Sequence, residues 1–144
     1  MSGTLFIVAT PIGNLNDITF RAIETLKSVD LVLAEDTRHS QKILNYFDIK
    51  TPINAFHDYN EREKCTTVID KLKKGRSIAL ISDAGTPLIS DPGYVLVSEA
   101  KKNSVKVIPI PGPSALIAAL SASGIPSDSF SFFGFLPSKQ NARI

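Results

Sequence analysis

Glu35, Asp36, Thr37, Arg38 and His39 stand in one unbroken polar row, inside the run AEDTRHSQK at residues 34–42. Carboxylates and an imidazole can accept a proton, and a guanidinium can grip a phosphate through paired N–H donors. The same row also suits the solvated start of a helix, where early acids satisfy free N–H groups and the helix dipole. Three further stretches are rich in Gly, Pro and small polar residues: TPIGNLND at 10–17, SDAGTPLISDPG at 82–93 and PGPSA at 111–115. Taken singly, each reads as turn chemistry. In the middle stretch Asp91 precedes Pro92, the pattern of a helix N-cap followed by a first helical position, whereas no helix start accounts for Asp83. Asp83 is therefore the stronger site candidate of the two. His57 stands alone and reads as structural or exposed.

Apolar runs at 5–9, 31–34, 53–56, 78–81 and 105–110 read as five strands. Their hydrophobicity is continuous rather than alternating, as in strands buried on both faces. Helical spacing fills the intervals. Ile18, Ala22, Ile23 and Leu26 recur behind Asn16 or Asp17, either of which can cap, and Ile43, Leu44 and Phe47 mark a short helix over 40–47. Asn60 and Glu63 have capping-box spacing ahead of Val68, Ile69 and Leu72, with Gly75 as the stop. Tyr94, Val97 and Ala100 continue from Asp91 and Pro92, and Pro113 opens an Ala-rich helix to Leu120. Residues 129–136 return to an aromatic extended segment.

This alternation predicts an α/β fold of three layers with a mostly parallel sheet. Ligands collect beyond the carboxyl ends of such strands, and all four polar stretches follow strands. A cofactor bed on that shared edge is the economical reading, with Gly letting a ligand approach the main chain. None of the three Gly-rich stretches matches G-x-G-x-x-G or G-x-x-x-x-G-K-[ST], so the signatures of pyrophosphate and nucleoside triphosphate sites are absent from them.

A chain of 144 residues with 43% hydrophobic side chains can bury one sizeable core. Sixteen Lys and Arg against 14 Asp and Glu give a net charge of +2, too balanced to mark a polyanion binder by overall field alone. The single cysteine, Cys65, excludes an internal disulfide, and Val68 and Leu72 three and seven residues on predict a buried thiol. No apolar run approaches a membrane span, so a cytoplasmic protein with no membrane partner is expected.

In order, VATPIGNL, AEDTRHS, SDAGTPLISDPGY and PIPGPSALIAALSASG resemble the ribosomal RNA small subunit methyltransferase I family, over essentially the whole chain. Four separated motifs are more specific than any one Gly-rich loop. The resemblance implies the tetrapyrrole methylase superfamily, whose members bind S-adenosylmethionine between two α/β domains without the Rossmann glycine fingerprint. It implies a first domain at 1–125 with a five-stranded parallel sheet, an exit segment at 126–144, and a mixed-sheet second domain not contained here. It further implies a homodimer that methylates the 2′-hydroxyl of a cytidine in 16S ribosomal RNA of the small subunit, a group that DNA lacks.

Carried onto this sequence, the family's cofactor loops match Thr10, Pro11 and Gly13, then Asp83, Ala84 and Gly85 with Ser90 and Asp91 closing the loop, then Pro111, Gly112, Ser114 and Ala115. Glu35, Asp36, Arg38 and His39 are the candidates for catalysis. Arg38 would hold an RNA phosphate, and one of the other three would take the hydroxyl proton. No metal site is expected. Leu88 departs from the pattern, standing where many relatives are expected to carry a small residue. The rival readings are a small-molecule methylase acting on a tetrapyrrole, and a ligand-binding fragment without catalysis.

Overall fold

The computed structural model describes residues 1–139. Five strands, β1 (Thr4–Val8), β2 (Leu31–Ala34), β3 (Ile53–Ala55), β4 (Ile78–Ile81) and β5 (Lys106–Ile110), form one sheet in the order β3-β2-β4-β1-β5. Every pairing is parallel, as the continuous apolar runs predict. The helices are α1 (Phe20–Ser28), α2 (Thr37–Tyr46), α3 (Glu61–Lys73), α4 (Tyr94–Lys102) and α5 (Ala115–Ala122).

The pleat divides each strand between two cores. Leu31 and Leu33 of β2 and Ile78 and Leu80 of β4 join Cys65, Val68, Ile69 and Leu72 of α3 and Leu96 and Ala100 of α4. Their alternate neighbours Val32, Ala34, Ala79 and Ile81 meet Ala22 and Leu26 of α1 and Leu44 of α2 on the other face. Strands with no polar face are required because both faces are covered, and full burial of each Leu or Ile stabilises by about 1.5–3 kcal/mol. Cys65 is buried and free, in keeping with its helical spacing.

This arrangement also decides where a site can form. β1 and β4 are neighbours, yet the chain leaves β1 toward α1 on one face and leaves β4 toward α4 on the other. Diverging connections leave a crevice at the carboxyl ends of those two strands.

Several helix starts differ from their sequence signals. A short 3₁₀ turn, Leu15–Asp17, is capped by Asn14, and Thr19 rather than Asn16 or Asp17 caps α1 by accepting the Ala22 N–H at 3.0 Å. Helix α2 begins at Thr37, three residues before the start expected at residue 40, because Asp36 Oδ1 accepts the N–H groups of Arg38 and His39 at 2.9 and 3.2 Å. The capping box of α3 does not form: Asn60 Oδ1 accepts the His57 N–H at 2.9 Å instead. Helix α5 starts at Ala115, two residues after Pro113. Residues 129–136 join no strand, and 140–144 of the expected exit segment lie outside the described residues.

The most consequential difference lies at α4. Asp91 and Pro92 do not begin it; the helix starts at Tyr94, behind Gly93 with φ 128°, which carries no capping side chain. A Cβ on Gly93 would come within 2.6 Å of Leu80 Cδ2. The cap comes from another helix: Glu61, 6% exposed at the head of α3, accepts the Leu96 N–H through Oε1 at 3.2 Å. Asp91 is thereby released from structural duty.

Glu61→Ala is expected to strand that buried N–H and lower the stability to urea by about 1–3 kcal/mol, whereas Glu61→Gln, which keeps an acceptor oxygen, retains most of it. Equal losses in the two variants would show that the hydrogen bond is not what Glu61 supplies.

Candidate active site at the carboxyl edge of the sheet

Four loops leave β2, β4, β1 and β5 side by side, and hydrogen bonds tie the loops after β2, β1 and β5 to the loop after β4. Between the β1 and β4 loops, Thr10 N–H donates to Gly85 O at 2.9 Å and Gly85 N–H returns to Thr10 O at 3.0 Å. Thr10 Oγ1 donates to Ser82 O at 3.2 Å, so this fully buried hydroxyl serves the loop junction rather than a ligand. Between the β4 and β2 loops, Asp36 N–H donates to Asp83 Oδ1 at 3.1 Å, and His39 Nε2 lies 3.0 Å from Asp83 O. A carbonyl only accepts, so Nε2 carries the proton there. Thr86 Oγ1 donates to Pro113 O at 3.0 Å and ties in the β5 loop.

Above this belt lies a pocket of about 540 Å³. Of the residues matched to cofactor loops, Asp83, Ala84, Gly85, Asp91, Ser114 and Ala115 line it directly. Thr10 and Pro11 are buried, and Gly112 presses against Ala9, where a Cβ would come within 2.9 Å of the Ala9 Cβ. Gly13, at φ 138°, Ser90 and Pro111 are exposed and shape the loops without lining the pocket. Gly85 at φ 77° faces Ile12 Cγ2, which a Cβ would approach to 3.3 Å.

The polar row after β2 is split by the fold. Glu35 lines the pocket, and burial first, then the charges of Asp83, Asp91 and Asp58, push its carboxyl above the usual range. Asp36 is exposed and occupied with capping, and the N–H donors of His39 and Arg38 hold its carboxyl below the usual range. Arg38 points away from the pocket, into a separate groove between α2 and β3. His57 is part-buried, its Nε2 3.1 Å from Asn60 Nδ2 and its Nδ1 enclosed without a partner.

Asp91, freed from the helix cap, is raised by burial and by Asp83, with a hydrogen bond from Ser82 acting the other way. Glu35, Asp83 and Asp91 together make the pocket acidic, an environment suited to a cationic ligand. Sequence reasoning did not single out Ile12, Thr86, Ile89 and Leu116, although all four sit within or beside the motifs as apolar or hydroxyl neighbours of the Gly-rich turns. Phe132 and Phe135 also line the pocket, because the aromatic extended segment folds back over it. No local pattern tells where an extended aromatic segment will pack.

Leu88 and Ser90 occupy left-handed backbone at φ 73° and 60°, a costly conformation for residues with a Cβ. Leu88 is held by packing against the α3–α4 core. Such outliers concentrate where a loop must keep a fixed shape.

A sequence model of the family Tetrapyrrole (Corrin/Porphyrin) Methylases matches residues 4–141. The chain is 62% identical over 139 residues to the ribosomal RNA small subunit methyltransferase I of Vibrio cholerae, covering 96% of this chain and 48% of that protein. It is 55% identical over 141 residues to the protein of the same name from Escherichia coli O157:H7, covering 98% and 49%. The chain thus spans about half the length of the curated relatives it matches. Among solved structures, the uroporphyrin-III-C-methyltransferase of Thermus thermophilus superposes with a TM-score of 0.67 at 22% identity, over 88% of this chain and 55% of that one. A diphthine synthase gives 0.68 at 18%, over 86% and 50%. At such identities these structures speak for the fold alone.

The raised carboxyls have a measurable consequence. Both Glu35 and Asp91 have folded-state values above their unfolded ones, so the stability they lend is fully present below the unfolded carboxylate range of about pH 4 and is lost as pH rises through the folded values. Glu35→Gln and Asp91→Asn are each expected to melt above the unsubstituted protein at pH 7, with the gain vanishing toward pH 4. A gain independent of pH would remove ionisation as its cause.

Proposed function

Because the chain belongs to the tetrapyrrole (corrin/porphyrin) methylase family, we propose that it is the cofactor-binding half of an S-adenosylmethionine-dependent methyltransferase that modifies the ribose 2′-hydroxyl of a cytidine in 16S ribosomal RNA. The observation that carries an RNA substrate over a tetrapyrrole is identity: 55–62% to relatives named for small-subunit ribosomal RNA, over 96–99% of the chain, against 22% to the uroporphyrin enzyme. The working form is a homodimer in the cytoplasm, where ribosomal subunits are found. Exposed Ile117, Ile125, Phe133 and Leu136 supply apolar surface of the kind that a further domain or a second copy covers.

The residues present fit the cofactor. Ala84, Gly85, Ser114 and Ala115 give a wall of small side chains against which a flat ligand can lie, and Ile12, Ile89 and Leu116 add apolar contact. The three carboxylates offset a ligand's positive charge, and Asp83 or Asp91 can accept from hydroxyl or ammonium groups. When bound, S-adenosylmethionine supplies a methyl group already activated by its sulfonium, which leaves the protein placement and the exclusion of water.

A ribose hydroxyl attacks well only as its proton departs. Glu35 is the group best fitted to take it, because it faces the pocket and its raised carboxyl is a stronger base than an ordinary glutamate. Asp36 is the weaker base, its carboxylate held by two N–H donors. His39 donates to the Asp83 carbonyl and so braces the loop. Both are positioning residues.

Tritiated-methyl transfer to small ribosomal subunits, by the protein extended to its relatives' length, is expected to yield 2′-O-methylcytidine on nucleoside analysis. Labelling of a base, or of a tetrapyrrole but not RNA, would refute the reading. Glu35→Gln is expected to lower kcat by about 10²–10⁴, and an unchanged kcat would remove Glu35 as the base.

A further inference from the structure

Two depressions meet at the N-terminus of α2, and their linings differ in charge. The cofactor pocket on one side carries Glu35, Asp83 and Asp91. On the other, an open groove of about 600 Å³ runs between α2 and β3, lined by Arg38, Gln41, Lys42, Asn45 and Asn54 among others and by no carboxylate. β3 is the edge of the sheet, so no further strand of the described chain covers that side.

Arg38 and Lys42 are four residues apart on one helix and therefore share a face, about 6 Å apart along the axis. Both are exposed, and neither is in an ion pair among the described residues. Gln41 Nε2 donates to Asn45 Oδ1 at 2.9 Å, an amide pair that leaves the Asn45 amide hydrogens available. From Arg38 to Asn45 the helix advances about 10 Å, enough to follow a short stretch of extended backbone.

We propose that the α2–β3 groove is the track of a single-stranded RNA backbone, with Arg38 and Lys42 on successive phosphates and Gln41, Asn45 and Asn54 hydrogen-bonding sugars and base edges. The inference rests on the function proposed above and adds where the substrate enters: along α2 toward its N-terminus, past Arg38, to the nucleotide facing Glu35. A polyanion is repelled by the three acids of the pocket and attracted by the groove. Its backbone stays outside while one ribose crosses the boundary. Cations set beside amides suit unpaired nucleotides, whose base edges are open to hydrogen bonding, better than a duplex, which hides them.

The test is anisotropy of a labelled single-stranded ribo-oligonucleotide, titrated at several salt concentrations with the protein extended to its relatives' length, with its Arg38→Ala/Lys42→Ala variant and with its Lys101→Ala variant on α4. Each phosphate contact on a single strand contributes about 0.7 to the logarithmic salt slope, so the double variant should be shallower by about 1.4 and bind at least about tenfold more weakly at low salt. Lys101→Ala should change neither, and calorimetry should find S-adenosylmethionine binding intact in the double variant, which also reports its fold. An unchanged slope and affinity in the double variant, while the unsubstituted protein methylates ribosomal subunits, would overturn the groove and spare the function. An equal loss in Lys101→Ala would overturn it too, by showing only a general field. If the unsubstituted protein neither binds RNA nor methylates the subunits, the functional reading itself fails and takes the groove with it.

Discussion

Two backbone hydrogen bonds, exchanged between Thr10 and Gly85, hold together the place where this fold would otherwise come apart. The chains leaving β1 and β4 go to opposite faces of the sheet, and their first peptide groups would be left without strand partners in a buried setting. Unpaired buried amides are costly, so some cross-connection is required. The reciprocal pair satisfies it and fixes the spacing of the two loops. Thr10 adds its hydroxyl to Ser82 O, and the Ser82 hydroxyl turns back to the Ala84 and Gly85 carbonyls at 3.2 and 3.3 Å. From this junction the order spreads outward, through Asp83 to the N-terminus of α2 and through Thr86 to Pro113.

The loop built on that junction is expensive. Gly85 and Gly93 take positive φ freely, but Leu88 and Ser90 do so at a cost, and the carboxyls of Glu35 and Asp91 are held where ionisation is disfavoured. Apolar packing offsets both. Leu88 is anchored on the α3–α4 core, and Pro87 and Pro92 are buried on either side of the turn. A loop whose shape is set in advance by its own packing does not have to be ordered by its ligand, which is what a catalyst that works by placement requires.

Much of the fold was legible in the sequence because its inner strands β2 and β4 are short and wholly apolar, and a run such as Ile78 to Ile81 has no other place than the middle of a covered sheet. The shared edge of the four loops followed from the same reading, since each polar stretch comes after a strand. Helix starts were less legible, and the reason is physical. A capping signal names a residue able to cap, whereas the cap actually used depends on what else is near. Asp91-Pro92 has the local pattern, yet Glu61, thirty-five residues away, reaches the α4 amides first. Asn60 has the spacing for α3 but answers His57. The place of the aromatic segment near 132–135 was illegible for the same reason: its turn back over the pocket is decided by long-range packing, which periodicity does not encode.

The split of AEDTRHS follows from helix geometry alone. Glu35 still belongs to the extended exit from β2 and looks along the sheet edge toward Asp83, while Arg38 is one residue into α2 and is carried round the helix toward β3. Asp36 stands at the turning point. Its carboxylate neutralises the positive end of the α2 dipole and satisfies two free N–H groups, and its own N–H is received by Asp83. One capping residue therefore separates an acidic pocket from a basic groove within three positions of sequence, and both charges survive because neither side chain can reach across the cap to cancel the other. A net charge of +2 conceals this arrangement entirely. What distinguishes the two surfaces is not how much charge the chain carries but where the first turn of α2 begins.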